Sequence, residues 1–262
     1  MITVNPGLLN LRPGQRVLDL GCGEGRHAIH LLITDAVDIF AVDLSQRDIR
    51  TACDKAQPFM AAGNVSGRVQ FVVSDALRLP FSDDFFDVVI CSEVLEHIED
   101  YEGVLSEITR VLKPAGIFAA TVPAFFPEWV CWKLSDAYHQ VEGGHIRIFR
   151  EKQLRMSVEQ QGYQYFARHK AHALHAPYWW LKCLFWERDR QPLVAAYHRL
   201  LVWDLMQKPR LTRWMEKLLN PVLGKSIALY FVKASYPEPD LGGSPERRSE
   251  LPSKDAEREV AA

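Results

Sequence analysis

A run of three glycines at alternate positions, entered from a short apolar segment, is the feature that most constrains the fold of this chain. Residues 17–20 are Val-Leu-Asp-Leu, and the loop Gly-Cys-Gly-Glu-Gly follows at 21–25. Glycine has no Cβ, so the backbone at Gly21 and Gly23 can turn tightly and lie directly against a ligand. A GxGxxG dinucleotide fingerprint would need glycine where Arg26 stands, and Asp19 would repel a pyrophosphate. The loop therefore favours a ligand that carries positive charge and hydroxyl groups.

Short apolar segments alternate with helical patterns through the first two thirds of the chain. We expect strands near residues 16–20, 39–42, 69–73, 86–91 and 117–122, and later strands near 163–169 and 225–233. Helical periodicity fills most of the intervals, and Ser45 is expected to cap the helix that runs towards Met60. This alternation predicts a mainly parallel sheet with helices on both faces.

Charge and tryptophan are unevenly distributed along the chain. Residues 168–225 hold 11 basic and 4 acidic residues, although the whole chain has a formal net charge of −2, and five of the seven tryptophans lie there. From Pro237 onward the sequence is rich in Pro, Ser and charge and poor in large apolar residues, which is typical of a disordered tail. We expect one domain over 1–235, with a helical insertion at 171–224 between the last two strands, and a disordered tail over 236–262.

The cysteines and the N-terminal segment indicate the cellular compartment. The five cysteines form no CxxC pair and are too sparse for a disulfide framework, so we expect reduced thiols and a cytoplasmic protein. The first residues lack the basic and long apolar regions of a signal peptide, and no apolar stretch is long enough to span a bilayer.

Five spaced motifs, in order, resemble those of class I S-adenosylmethionine-dependent methyltransferases. They are VLDLGCGEG at 17–25, AVDLS at 41–45, SDA at 74–76, FDVVICSEVLEH at 86–97 and LKPAG at 112–116. The resemblance spans about residues 14–170 and returns at 225–233. It implies a Rossmann-like, doubly wound sheet of seven strands whose last strand is antiparallel. Few residues precede the first motif, so the lid over the acceptor is expected from the 171–224 insertion.

The resemblance also implies how S-adenosylmethionine would be held. Asp43 would accept hydrogen bonds from the ribose hydroxyls, with Leu44 packed on the adenine. Asp19 and Glu24 would face the methionine amino group, or Asp19 would hold a water molecule. The remaining implied cofactor contacts come from the glycine loop and from the ends of the third and fourth strands: Gly21, Gly23, Asp75, Ala76 and Ser92.

Two carboxylates and two imidazoles follow the fourth strand, and their role has three possible interpretations. Glu93, Glu96 and His97 have spacings of three and four, which would place them on one face of a helical turn, and His145 follows later. The set could bind a divalent metal, as in methyltransferases acting on RNA ribose ends and in quinone O-methyltransferases, which have a similar ExxEH pattern. Alternatively, His97 or His145 acts as a general base or contacts the acceptor. A purely structural role is the third interpretation.

The insertion and the three histidines across the expected strand end at its start also leave alternatives open. The Trp- and Leu-rich helices fit a cap packed on the sheet, an interfacial helix pair attracted to anionic lipid, or, more weakly, a surface for single-stranded nucleic acid. His169, His172 and His175 could bind metal, although packing histidines are commoner.

These features together predict a methyltransferase that acts on a small, apolar or lipid-like acceptor, with O-methylation favoured. The protein would be cytoplasmic, with peripheral contact to an anionic membrane. A methyltransferase of RNA or protein is one alternative, and a non-catalytic protein that keeps the cofactor fold for interaction is the other. The intact Asp19, Gly21, Gly23 and Asp43 argue against the non-catalytic alternative.

Overall fold

The computed structural model describes residues 2–141, 143–186 and 191–235. Its strands are β1 (Arg16–Leu20), β2 (Asp38–Asp43), β3 (Arg68–Val73), β4 (Phe86–Ser92), β5 (Leu112–Pro123), β6 (Tyr163–Ala171) and β7 (Ser226–Lys233). Its helices are α1 (Arg26–Thr34), α2 (Gln46–Ala61), α3 (Tyr101–Val111), α4 (Phe125–Leu134), α5 (Asp136–Gln140), α6 (Glu151–Gln160), α7 (His175–Leu184), α8 (Pro192–Gln207) and α9 (Arg210–Leu223). The predicted tail at 236–262 lies outside the described residues.

The seven strands form one sheet in the order β3-β2-β1-β4-β5-β7-β6. The pairings among β1 to β5 are parallel, whereas β7 runs antiparallel to both β5 and β6. This confirms the predicted doubly wound, Rossmann-like sheet with an antiparallel last strand. The strand order reverses between β1 and β4, and in open sheets of this kind the ligand crevice lies beyond the carboxyl ends of the strands at that point.

Two apolar cores, one on each face of the sheet, position the central strands. In β1, Leu18 and Leu20 contribute to one core, which α3 and α6 cover, while Val17 points to the other core, covered by α1 and α2. Strands buried on both faces need near-continuous apolar sequence, which explains the short apolar runs. The predicted cap of α2 is also present, because Ser45 Oγ accepts the backbone N–H of Asp48 at 3.2 Å.

The largest boundary difference from the sequence prediction lies at β5. The segment 112–116 resembles a turn before the strand, but the structure includes it in β5, which pairs with β4 through a register shift. Ala115 adopts a positive φ of 60° there. Proline and glycine occur both in turns and in irregular, bulged strand starts, so the residue types at 112–116 do not distinguish a turn from a strand start.

The segment between β6 and β7 contains α7, α8 and α9, where a helical insertion was expected. α7 packs on α4 and α8 packs on α7, while α9 contacts β6. The predicted role of this segment as a lid stays a prediction. None of the helices in the described ranges is both long and apolar enough to cross a bilayer.

Candidate active site

The glycine loop between β1 and α1 has the backbone that its sequence requires. Gly21, Gly23 and Gly25 have φ values of 68°, 53° and 80°, a region that other residues enter at a cost. A Cβ on Gly21 would overlap the side chain of Val94, whereas a Cβ on Gly23 would meet nothing within 4 Å. Gly21 is therefore needed for close packing in the protein itself, and Gly23 leaves an open backbone surface.

Asp43, at the end of β2, joins this loop to the next strand. Its Oδ2 accepts the backbone N–H of Gly23 at 2.8 Å, and its Oδ1 accepts that of Ser45 at 2.8 Å. Leu44 follows with 72% of its surface exposed. A carboxylate beside an exposed apolar side chain is suited to a ligand that has hydroxyl groups at one end and a flat apolar ring at the other.

Asp19 and Glu24 lie in very different surroundings. Asp19 is buried within β1 and accepts the N–H of Ala28 through Oδ2 at 3.0 Å. Burial raises the pKa of Asp19 from 3.8 to about 7. Glu24 is exposed and pairs with Lys55, whose hydrogen bond and charge lower the pKa of Glu24. Glu24 thus lies at the solvent edge of the loop and Asp19 beneath it.

The other predicted cofactor contacts follow β3 and β4. Asp75 is exposed and accepts the N–H of Leu77 at 2.9 Å, and Ala76 packs partly against the core. Ser92 ends β4, where its Oγ shares a 2.8 Å hydrogen bond with Oγ1 of Thr121. Since these segments all follow parallel strands, they lie on the same edge of the sheet as the glycine loop.

The chain turns sharply after β4 and brings Glu93 towards the sheet edge. Glu93 has a positive φ of 57°, and its Oε1 accepts a hydrogen bond from Thr121 Oγ1 at 3.1 Å. Burial raises the pKa of Glu93 above its ordinary value. The next residues form a turn closed by a 3.0 Å bond from His97 N to Val94 O, and no α-helix forms there.

Glu96 is a fully buried carboxyl group without a hydrogen-bond partner for either oxygen among the described residues. Its pKa is well above the ordinary value, because burial and the neighbouring Glu93 both disfavour the charged form. Potential ligand atoms of Glu96, His97 and His145 all lie within 4.8 Å of one another. The structure thus brings together three of the four residues predicted as a metal set.

His145 is oriented by Glu128, a residue that the sequence analysis did not single out. His145 Nδ1 donates to Glu128 Oε1 at 2.6 Å, leaving Nε2 as the free ring nitrogen. Glu128 is buried, and Tyr138 and Lys225 also donate to it, at 3.3 and 3.4 Å. Burial alone would raise the pKa of Glu128, but the hydrogen bond from His145 and the charge of Lys225 take it below the ordinary value. The sequence does contain a signal for this role: Glu128 is the one carboxylate in the apolar segment 124–134. A carboxylate that is buried with such a segment needs a partner of opposite charge.

His97 lies beside His145 with a ring separation of 4.9 Å. Its Nδ1 donates to the carbonyl of Gly144 at 3.2 Å, so Nε2 is again the free nitrogen. Burial, followed by the charge of His145, lowers the pKa of His97. A neutral imidazole with a free Nε2 can accept a proton or bind a metal.

An open cavity of about 390 Å³ adjoins these groups. Arg26, at the start of α1, and Glu93, after β4, lie in its lining, and His145, Tyr138 and Trp179 are among its other lining residues. The cavity therefore extends from Arg26, the residue that follows the glycine loop, to an aromatic and basic wall.

The three histidines at 169, 172 and 175, near the end of β6, do not act as one group. His169 Nε2 bonds to the carbonyl of Thr3 at 3.0 Å and its ring stacks on Tyr230, which is a packing arrangement. Potential ligand atoms of His172, His175 and Glu216 lie within 4.8 Å of one another beside the cavity. A hydrogen bond of 3.2 Å joins His172 to Thr3 Oγ1.

Part of the chain is similar in sequence to known methyltransferases. Residues 18–120 match a family described as a methyltransferase domain. The 27-O-demethylrifamycin SV methyltransferase of Amycolatopsis mediterranei is 38% identical over 113 residues, which are 43% of this chain and 40% of that protein. A sterol 24-C-methyltransferase of Schizosaccharomyces pombe is 35% identical over 140 residues, or 53% and 34% of the two chains. The chain thus spans two fifths or less of the length of these relatives.

A solved structure of a SAM-dependent methyltransferase from Methanosarcina mazei has a similar fold. It aligns with a TM-score of 0.59 and 16% identity, covering 90% of this chain and 100% of that one. At this identity the similarity concerns the fold, and it extends well beyond the residues matched by the family.

Proposed function

Because the chain carries a methyltransferase domain of the class I S-adenosylmethionine-dependent family, we propose that it transfers a methyl group to a small, apolar or lipid-like acceptor. The observation that carries this proposal is the junction of Asp43 with the glycine loop at the strand-order reversal of the sheet. There a carboxylate, an exposed Leu44 and the open backbone of Gly23 would face a ligand bound where such sheets bind their ligands.

The residues present fit S-adenosylmethionine. Asp43 would accept hydrogen bonds from the ribose hydroxyls and Leu44 would pack on the adenine. Asp75, Ala76 and Ser92 line the same edge, while Gly21 and Gly23 form the loop. Asp19 would attract the methionine ammonium from beneath the loop, with Glu24 at its solvent edge. The cofactor supplies a methyl group already activated on a sulfonium, so the protein chiefly contributes orientation and exclusion of water.

On the acceptor side, we assign His145 and His97 to contact with the acceptor hydroxyl. His97 has a lowered pKa that keeps its ring neutral, so its Nε2 would take the proton of the hydroxyl as the oxygen is methylated. Glu128 holds the ring of His145, whose Nε2 would contact the acceptor beside it. This arrangement favours O-methylation.

The orphaned carboxyl of Glu96 favours a second use of the same groups. Glu96, His97 and His145, with Glu93 beside them, would bind a divalent cation, which would supply the positive charge that the buried carboxyl lacks. The two imidazoles favour a first-row transition metal over Mg²⁺. Their use as metal ligands excludes their use as bases, and chelation separates the two.

Features of the chain and of its relatives support the apolar acceptor. The cavity wall carries Tyr138, Trp179 and Trp186. One relative is named for an O-demethylated rifamycin and another for a sterol. Methylation of RNA or protein is the competing assignment, and a non-catalytic role is the third.

Labelled cofactor would identify the acceptor class. The protein is incubated with methyl-labelled S-adenosylmethionine and cell lysate, which is then separated into lipid extract, aqueous small molecules, RNA and protein. We expect label in the lipid extract or among apolar small molecules, and much less label with the Asp43→Ala variant at a cofactor concentration that does not saturate the variant. Label in RNA or protein would support the competing assignment, and no transfer by a cofactor-binding protein would support the non-catalytic one.

A further inference from the structure

Helix α9 is fixed to the rest of the protein along one side. It contacts β6, and Thr212 is buried on this side. Asn220 Oδ1 accepts the N–H of Ala173 at 3.0 Å, and Glu216 lies beside His172 and His175. The inner side of α9 therefore has polar and packing contacts that set its orientation.

The outer side of α9 carries an exposed apolar stripe. Leu211, Trp214, Leu218 and Val222 are spaced by three, four and four residues, so they share one face of the helix. Each is between 60% and 66% exposed. Large side chains left in water at helical spacing are typical of a surface that contacts an apolar partner.

Helix α8 adds further exposed apolar side chains. Leu201 is buried, while the exposed group consists of Leu193, Leu200, Val202, Trp203, Leu205 and Met206. The five tryptophans of the 168–225 block thus divide into two groups. Trp203 and Trp214 are exposed, whereas Trp179, Trp180 and Trp186 pack around Cys131, Tyr138 and Cys183.

All exposed charged residues on α8, α9 and their connection are positive. The basic residues are Arg199, Lys208, Arg210, Arg213 and Lys217, and none of them forms an ion pair with another described residue. The two acidic residues of these helices, Asp204 and Glu216, are partly buried. On α9, Arg210, Arg213 and Lys217 lie along one flank of the apolar stripe, as helical geometry requires at their spacing.

We propose that α9, through its apolar stripe and its basic flank, docks on an anionic lipid membrane, and that exposed apolar side chains of α8 contact the same membrane. A helix with an apolar face flanked by Arg and Lys, and with Trp among its apolar residues, lies in the plane of the membrane interface. The apolar side chains enter the headgroup region while the long basic side chains reach the lipid phosphates.

The docked position would also serve the proposed methyl transfer. Glu216 is on the inner side of α9, next to His172 and His175, which line the acceptor cavity. The cavity thus lies about one helix diameter, roughly 10 Å, from the docked surface. A lipid-borne acceptor would have a short path into the site. Docking itself does not depend on methyl transfer, so the two are tested separately.

Vesicle sedimentation tests the docking surface directly. The full-length protein is mixed with phosphatidylcholine vesicles or with vesicles that also contain phosphatidylglycerol, and the bound fraction is measured at low and high salt. We expect binding to the phosphatidylglycerol vesicles that weakens with salt, because screening acts on exposed charge. Absence of binding at low salt, in protein that still binds S-adenosylmethionine, would overturn the proposal and leave the proposed function standing.

Two sets of variants locate the contact. Replacing Arg210, Arg213 and Lys217 with Gln should weaken binding by about fivefold per charge. The matched control replaces Arg12, Arg50 and Lys152, which are exposed basic residues elsewhere, and should bind almost as the unaltered protein does. Equal losses in both sets would show attraction by overall charge and would overturn the assignment to this surface.

The apolar stripe has its own readout. Quenching of tryptophan fluorescence by brominated phospholipids should fall in Trp203→Phe and Trp214→Phe but not in Trp129→Phe, which alters an exposed tryptophan on α4. The alternative is that this surface joins two copies of the chain. The protein would then form dimers in solution, and the double variant Leu211→Ser, Leu218→Ser would be monomeric. That result would also overturn the proposal.

Discussion

The backbone N–H of Gly23 donates to Asp43 Oδ2 at 2.8 Å, so the loop after β1 is held by the residue that ends β2. Asp43 uses its other oxygen for Ser45, which leaves acceptor capacity on both oxygens because an ionised carboxylate offers about four lone-pair sites. One side chain therefore shapes the loop and remains able to bind hydroxyl groups. This double use makes the loop and the second strand a single ligand-binding unit.

Gly21 is expected to tolerate no side chain because of Val94. In Gly21→Ala, the new methyl would overlap the Val94 side chain, and the positive φ adds about 1–2 kcal/mol of backbone strain. We expect a lower unfolding midpoint in urea. Val94→Ala in the same chain should relieve the overlap and recover part of the loss, while Gly23→Ala, which has strain without overlap, should be milder. Equal midpoints for Gly21→Ala and Gly23→Ala would contradict this role of Val94.

Much of the fold could be predicted because its determinants are local. Alternating strands and helices, the glycine loop and the cap at Ser45 each depend on a few neighbouring residues, and the resemblance supplied the antiparallel last strand. The irregular start of β5 could not be predicted, since its Pro and Gly are as typical of a turn. The position of Gly21 against Val94 also depends on tertiary packing between residues far apart in sequence.

Asp19 should lose a proton when the cofactor binds. Its pKa of about 7 in the folded protein means that it is largely protonated near pH 6, and the ammonium group of the cofactor would favour the carboxylate. Calorimetry in buffers of different ionisation heat should therefore show proton release near pH 6, and Asp19→Asn should abolish it. Release that persists unchanged in Asp19→Asn would assign it to another group.

The raised pKa of Asp19 also makes the stability of the cofactor-free protein depend on pH. The pKa of Asp19 is about 7 in the folded protein and 3.8 in the unfolded chain. Between these pH values the folded protein binds more protons, so the free energy of unfolding falls as the pH rises. The total decrease in the free energy of unfolding is roughly 4 kcal/mol. Asp19→Asn should flatten this part of the urea-unfolding profile.

Metal dependence is decided by titration of Mn²⁺ into the cofactor-free protein. If Glu96, His97 and His145 bind a cation, one ion should bind, and Glu96→Gln should weaken the binding at least tenfold. Glu99→Gln, an exposed neighbour, serves as the matched control. No Mn²⁺ binding together with full activity in chelator would contradict the metal site and leave the histidines as acceptor contacts.

Activity should persist below the ordinary pKa of histidine if His97 accepts the proton. Because burial and His145 lower the pKa of His97, its ring stays neutral below pH 6.5, and the rate should fall only at more acidic pH. His97→Gln should then remove the acidic limb and lower the rate by about 10²–10⁴-fold. An acidic limb that is unchanged in His97→Gln but absent in His145→Gln would assign the proton to His145.

The candidate site was only partly accessible to sequence reasoning. The motif order placed Asp43, Ser92 and Glu96 on one sheet edge because parallel strands end together. Glu128 was missed because its link to His145 crosses 17 residues of chain and two helices, with no fixed spacing to reveal it. Which of the five tryptophans face solvent likewise depends on how α7 packs on α4, α8 on α7 and α9 on β6.

Calorimetric titration with S-adenosylmethionine tests the central claim most directly. We expect one cofactor per chain for the unaltered protein. Asp43→Ala should weaken affinity by about one to two decades, because it removes charge-assisted hydrogen bonds worth about 1.5–3 kcal/mol. Asp54→Ala, on the neighbouring helix α2, is the matched control and should bind normally. No binding by the unaltered, folded protein, or equal affinity in Asp43→Ala, would contradict the account.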